Sequence, residues 1–235
     1  MMVLTLLTKH IDGEFTVYWK TGLRRGGELK VDLGEQYDKL PEQQKPIAAE
    51  LYAIHHLLSV KEVMGSNRSG NGLQIRVSKG AIKKLQKQRS TKHSLYSLTR
   101  FLLTRYQEAQ ISVEKRDDWL SLSFEEYSVD NATVRGIDEV INVPNIGQVI
   151  VTRHALERFV ERLSDGVPKH PWKALCSKLL CSGLTKTQLP ENVAIQKAKK
   201  YAQEAEFWQH VGRKMYFVMV PAGSIKTLVT VFAVK

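Results

Sequence analysis

Cysteine is nearly absent, with two in 235 residues, too few for the disulfide framework of a small secreted domain. Cys176 and Cys181 stand five apart in one helical stretch, where their side chains diverge and close no unstrained bridge. That usage predicts a protein made and kept in a reducing cytoplasm. Glycine at 15 and proline at 7 exclude a collagen-like or low-complexity chain. Met1 to Leu7 is apolar but short and lacks a basic flank, so neither a signal peptide nor a membrane span is expected. No paired Cys and His spacing suits a metal, and no glycine-rich phosphate or dinucleotide fingerprint occurs. The sequence therefore predicts no metal and no cofactor.

The most informative absence is of acid. The formal charge is +11, from 35 Lys and Arg against 24 Asp and Glu. It is unevenly spread: residues 1–62 sum to −1, residues 108–139 to −6, and residues 140–235 to +8. Residues 63–107 hold ten cations (Arg68, Arg76, Lys79, Lys83, Lys84, Lys87, Arg89, Lys92, Arg100 and Arg105) and no carboxylate. Ordinary surfaces intersperse both signs. Forty-five residues without one acid read as a polyanion footprint, whose affinity comes from released counterions and weakens with salt.

At 43% hydrophobic the chain can bury a core, and two domains are expected. Period-two alternation predicts strands at 3–8, 14–20 and 28–33, separated by Asp12-Gly13 and Gly26-Gly27. A long helix follows Pro41 and Pro46, with Ile47, Leu51, Ile54 and Leu58 as one buried stripe, ending near Met64. Further elements are a strand at 73–77, helices at 80–89 and 94–109, and a strand around Trp119 to Phe124. The second half reads as a strand at 148–151, then a helix capped by Thr152 and running to Leu163. Helices after Pro171 and Pro190 and an antiparallel meander from Phe207 follow. The fold class expected is α+β.

Three strands, a long helix, a strand, helices and a strand resemble the ribonuclease H fold, and Ala48-Ala49-Glu50-Leu51-Tyr52-Ala53-Ile54 resembles that family's first long helix, where a carboxylate helps bind catalytic metal. The resemblance implies an N-terminal mixed sheet with helices over residues 1–128. It also implies carboxylates where this chain has Thr8 and Lys9 in the first strand and Ser78 and Lys79 after the fourth. Two-metal hydrolysis needs several converging carboxylates. Only Glu50 remains, so the resemblance implies a degenerate, non-catalytic nucleic-acid-binding domain, with an exposed helix carboxylate as the competing reading of Glu50.

Arg153-His154-Ala155-Leu156-Glu157-Arg158-Phe159-Val160-Glu161-Arg162 is the sharpest local motif. With the meander that follows, residues 146–235 resemble the small α/β fold of RelE-type and barnase-like ribonucleases and of toxin-like domains. His154, Arg158 and Arg162 fall at i, i+4 and i+8, placing a proton carrier beside two phosphate-binding forks. His210, Arg213 and Tyr216 on the meander are candidates to complete a site. A surface helix stitched by Arg153 with Glu157 and Arg158 with Glu161 is the alternative. Lys197 and Lys200, beside aromatic residues, suit single-stranded RNA.

Together these readings predict an RNA-binding protein, with DNA as a possible ligand and no membrane partner, using Arg68, Arg76, Lys79, Lys83, Lys84, Lys87, Arg89, Lys92, Arg153, His154, Arg158, Arg162, Lys197, Lys200, Arg213 and Lys214. A metal-independent ribonuclease centred on His154, Arg158 and Tyr216 is the rival. Residues 129–145 are expected as a linker, and the acidic 108–139 segment as a dock for a protein partner or a shield for the basic stretch. The pairing of halves resembles RNA-binding proteins of nucleus-forming phages, which would act inside the host cell.

Overall fold

The computed structural model describes residues 1–66, 69–134, 137, 139–163, 166–189, 205–210, 212 and 214–233. The chain divides into two units, Met1–Ile137 and Asp138–Lys235, each an α+β fold on a mixed six-stranded sheet with its own core.

In the first unit, β1 (Met2–Ile11), β2 (Glu14–Thr21) and β3 (Arg25–Asp32) form an antiparallel meander. Asp12 and Gly13 both take positive φ in the first turn, which the Asp-Gly pair tolerates. α1 (Lys45–His55) then carries the chain back, so that β4 (Leu73–Val77) lies parallel to β1 and β5 (Gln110–Val113) parallel to β4. A last strand, β6 (Glu126–Thr133), pairs parallel with β3 along its whole length, giving the order β5-β4-β1-β2-β3-β6.

Alternation aims Leu4, Leu6, Val17, Trp19, Leu29, Val31 and Ile75 at α1. The helix is buried from Ile47 to His55 on every side rather than along one stripe, because it lies under α2 (Ala81–Gln86) and the turns after it as well as on the sheet. It continues into a wider π turn over His56–Val60.

Three expectations fail here. The helix expected at 94–109 is two single 3₁₀ turns and a four-residue helix α3 (Arg100–Leu103). Leu95, Leu98, Phe101 and Leu102 are buried as the period predicts, but the Thr99 hydroxyl donates to the Tyr96 carbonyl and the Thr104 hydroxyl to that of Arg100. Such local bonds compete with helix propagation. The strand expected at Trp119 to Phe124 is a 3₁₀ turn, Asp118–Ser121, and the fifth strand is Gln110–Val113 instead. The expected linker is largely strand: β6 fills 126–133, Val134 and Ile137 belong to the first core, and β7 (Val140–Val143) opens the second sheet.

The second unit pairs β7 with β8 (Gly147–Val151), followed by α4 (Arg153–Glu161) and α5 (Pro171–Leu179). The Thr152 hydroxyl caps α4, accepting from the Ala155 amide at 3.1 Å while donating to the Leu228 carbonyl at 3.0 Å. β9 (Leu184–Thr187), β10 (Glu206–His210), β11 (Met215–Ala222) and β12 (Ile225–Ala233) form an antiparallel meander, and β12 closes onto β8 in parallel. Ala155, Leu156 and Phe159 pack on Phe217, Leu228 and Val231. The helix expected after Pro190 lies outside the described residues. Both cysteines are free thiols.

Candidate nucleic-acid interface

The parallel pairing of β1 with β4 brings their carboxyl ends together above α1, and Thr8, Glu50 and Ser78 converge there. Glu50 is fully buried, not exposed. Its Oε2 accepts from the Thr8 hydroxyl at 2.6 Å and the Ser78 hydroxyl at 2.5 Å, its Oε1 from the Ser78 amide at 2.6 Å and the Lys79 amide at 3.3 Å. The Thr8 amide closes the ring by donating to Ser78 Oγ at 3.2 Å. Two carboxylate oxygens offer about four acceptor positions, and all are taken. Burial pushes the Glu50 carboxyl above its ordinary range, and the four hydrogen bonds pull it back in part. Among the described residues no group of three or more His, Cys, Asp or Glu could hold a metal ion.

Beside this ring lies a groove of about 500 Å³, walled by Leu7, Pro46, Ile47 and Ala81 and rimmed by Gln43, Ser78, Lys79 and Lys115. Among the described residues no carboxylate lines it. The Lys79 ammonium donates to the Thr8 carbonyl at 3.3 Å, which fixes its position over the groove and leaves two of its three protons unspent. On the α1 side, the Ser94 hydroxyl donates to Gln44 Oε1 at 2.8 Å, tying the 90–96 segment beside Gln43.

α2 runs out from the groove at Ala81. Ile82 and Leu85 anchor it in the core, while Lys83, Lys84, Lys87 and Arg89 stand in solvent with no ion pair among the described residues. Lys92 follows, half-buried, its amide donating to Ser90 Oγ. Arg76 does not join them. It lies on the other face of the sheet with Thr5 and Lys20, its cross-strand neighbours in register, in a smaller pocket with Glu114, Arg116 and Trp119. Arg68 lies outside the described residues.

Among the described residues no acid of the 108–139 segment pairs with Lys79, Lys83, Lys84, Lys87, Arg89 or Lys92. Asp117 pairs with Lys9 at 3.2 Å, Glu125 with Arg24 at 3.5 Å, Glu126 with Arg25 at 2.9 Å, Asp130 with Lys61 at 2.6 Å and Glu114 with Arg116 at 3.1 Å. Five of its nine acids are thus engaged within the first unit.

In the second unit Arg153 binds Glu157 at 2.6 Å and Arg158 binds Glu161 at 2.7 Å, the stitched surface helix that the spacing allowed. His154 and Arg162 are exposed on α4 and Lys214 on the loop before β11. Tyr216 does not face them. Phe217 points into the core beneath α4, so Tyr216 points to the opposite side of the sheet, stacked on Phe232 at 5.1 Å. His210 is spent on α5: its Nε2–H donates to the Lys178 carbonyl at 2.8 Å. His154, Arg158 and Tyr216 therefore do not form one site. Lys197, Lys200 and Arg213 lie outside the described residues.

Sequence reasoning missed Lys115, Gln43 and the apolar wall. They come from separate elements, and Lys115 was concealed inside the most acidic segment of the chain. No family model matches this chain, and no curated protein or solved structure matches it either.

Proposed function

We propose that this chain is an RNA-binding protein, largely indifferent to base sequence, whose main footprint is α2 and the groove at its start. The observation that carries the reading is a set of four solvent-exposed cations, Lys83, Lys84, Lys87 and Arg89, without a counter-ion among the described residues, continuing from Lys79 in a stretch that has no acid. The order β5-β4-β1-β2-β3 and the meeting of Thr8, Glu50 and Ser78 support a ribonuclease H-like domain turned to binding. Where hydrolysis would need carboxylates for cations, hydroxyls saturate the single acid and a lysine supplies positive charge. The cytoplasm, or a phage-infected host cell, is the compartment this proposal implies. No helix among the described residues is long and apolar enough to cross a membrane.

Single- and double-stranded RNA and DNA of equal length, titrated at several salt concentrations, test the proposal. Five matched phosphates on a single strand give a log–log salt slope of about −3.5, or roughly a hundredfold loss of affinity between 50 and 200 mM salt. Reversing Lys83, Lys84 and Lys87 to Glu lowers affinity for every sequence and brings the slope to about −1.4 or flatter. An unchanged slope in that variant refutes α2 as the footprint.

A further inference from the structure

The groove beside Ser78 has two kinds of wall, and a phosphate track alone accounts for only one of them. Lys79 and Lys115 supply paired positive charge at its rim. Leu7, Pro46, Ile47 and Ala81 supply an apolar wall beneath, and Gln43 a donor and an acceptor at the edge. Its volume of about 500 Å³ falls within the ordinary range for a small-ligand cleft. A phosphate group gains nothing from an apolar wall, whereas a nucleobase does, since its faces shed water on contact with aliphatic carbon.

We propose that the groove seats one unpaired nucleotide, the base laid against Pro46 and Ile47 and its phosphate held between Lys79 and Lys115, an inference that rests on the RNA-binding reading above. Lys79 is built for that place. Its ammonium is held by the Thr8 carbonyl, and its backbone amide is held by Glu50, so little side-chain freedom remains to be lost when an anion arrives. The buried Glu50 ring thus acts as a positioning device for the lysine. Gln43, exposed and amide-bearing, can satisfy any base edge by turning over, which suits a site that does not choose among bases. A base in a duplex has both faces stacked and cannot enter, so the groove makes α2's general affinity for polyanions into a preference for single strands.

Titration of the full chain with UMP, CMP, AMP and GMP, followed by amide chemical shifts, tests the inference, with inorganic phosphate as a parallel arm. The expected result is millimolar saturation by all four nucleotides, with shifts centred on Ser78 to Ala81 and Lys115, and binding of phosphate alone about tenfold weaker. Lys115→Ala, at an exposed position, weakens nucleotide binding about tenfold. It also narrows the gap between single- and double-stranded RNA, which Lys83→Glu does not do. Ala81→Leu, which narrows the groove without touching charge, lowers nucleotide affinity and leaves phosphate affinity as it was. Equal affinity for phosphate and nucleotide overturns the base seat. Single-stranded RNA binding with the groove amides unmoved overturns the groove and leaves the footprint on α2 standing. Failure to bind any RNA at low salt overturns the underlying reading instead.

Discussion

Removing the Glu50 carboxylate is the sharpest test of what holds this end of the first unit together. Glu50→Ala strips four donors of an acceptor that is itself fully buried. The Thr8 and Ser78 hydroxyls can rotate toward other acceptors, but the Ser78 and Lys79 amides cannot. Each stranded buried donor costs about 1–3 kcal/mol. With the small cavity added, the expected loss is about 3–5 kcal/mol, which for a unit of this size lowers its thermal midpoint by roughly 10–15 °C. Glu50→Gln keeps the shape and two of the main-chain acceptances while removing the titration, and it separates packing from charge. Burial holds the folded carboxyl above 4.5, so the native state binds this proton more tightly than the unfolded chain. The stability tied to that proton is present below pH 4.5 and is lost as pH rises through the folded value. Wild type is therefore expected to lose ground to Glu50→Gln between pH 4.5 and neutrality, as read from chemical unfolding across that range. A cost below about 1 kcal/mol for Glu50→Ala, or a Gln-to-wild-type difference flat with pH, refutes the view of Glu50 as a buried structural brace.

In the second unit Glu206 titrates in the opposite sense. Burial alone would raise its carboxyl, but Lys226, Lys186 and Trp208 Nε1 donate to it at 2.6, 2.9 and 3.1 Å and hold it down to about 2. Its stabilisation is present above pH 4.5 and is lost as pH falls toward 2, so Lys226→Met is expected to blunt the acid-induced drop in thermal midpoint and Lys83→Met to leave it unchanged. At Gly27, a Cβ would stand 2.3 Å from the Ser128 carbonyl oxygen on β6. Gly27→Ala is expected to cost on the order of 1–3 kcal/mol and to release hydrogen-exchange protection along Ser128 to Asn131 before the rest of the sheet. Uniform protection in that variant refutes the close approach of β3 to β6.

What was legible in the sequence is what repeats locally. β2 and β3 alternate apolar and polar residues around Phe15, Val17 and Trp19 and around Leu29 and Val31, α4 starts at a Thr whose hydroxyl caps it, and Arg153 and Arg158 sit one turn from their glutamates. Each of those signals depends on neighbours within a few positions. β5, β7 and β9 are four residues each, too short for alternation to separate from chance. Residues 129–133 of β6 fall in the expected linker because the acids of this strand mask its apolar residues: Tyr127 and Val129 stay half-exposed or more, while Asp130 turns inward to Lys61. The helix expected at 94–109 failed because hydroxyl side chains compete for its carbonyls.

Charge tells the same story at longer range. The segment sums single out the cations of α2 because exposed cations without partners need no tertiary knowledge to be counted. They misjudged the acidic segment, because a sum over sequence cannot see that Asp117 spends its charge on Lys9, 108 positions away, and Asp130 on Lys61. Those pairs have a consequence for the whole first unit. Among the described residues the acids of 108–139 pair with Lys9, Arg24 and Arg25 of the meander, with Lys61 and with Arg116, and with none of the cations of 79–92, which leaves the exposed cations of α2 without a counter-ion there. Lys115 sharpens the point. It belongs by sequence to the acidic segment and by position to the rim of the groove, where no carboxylate stands among the lining residues.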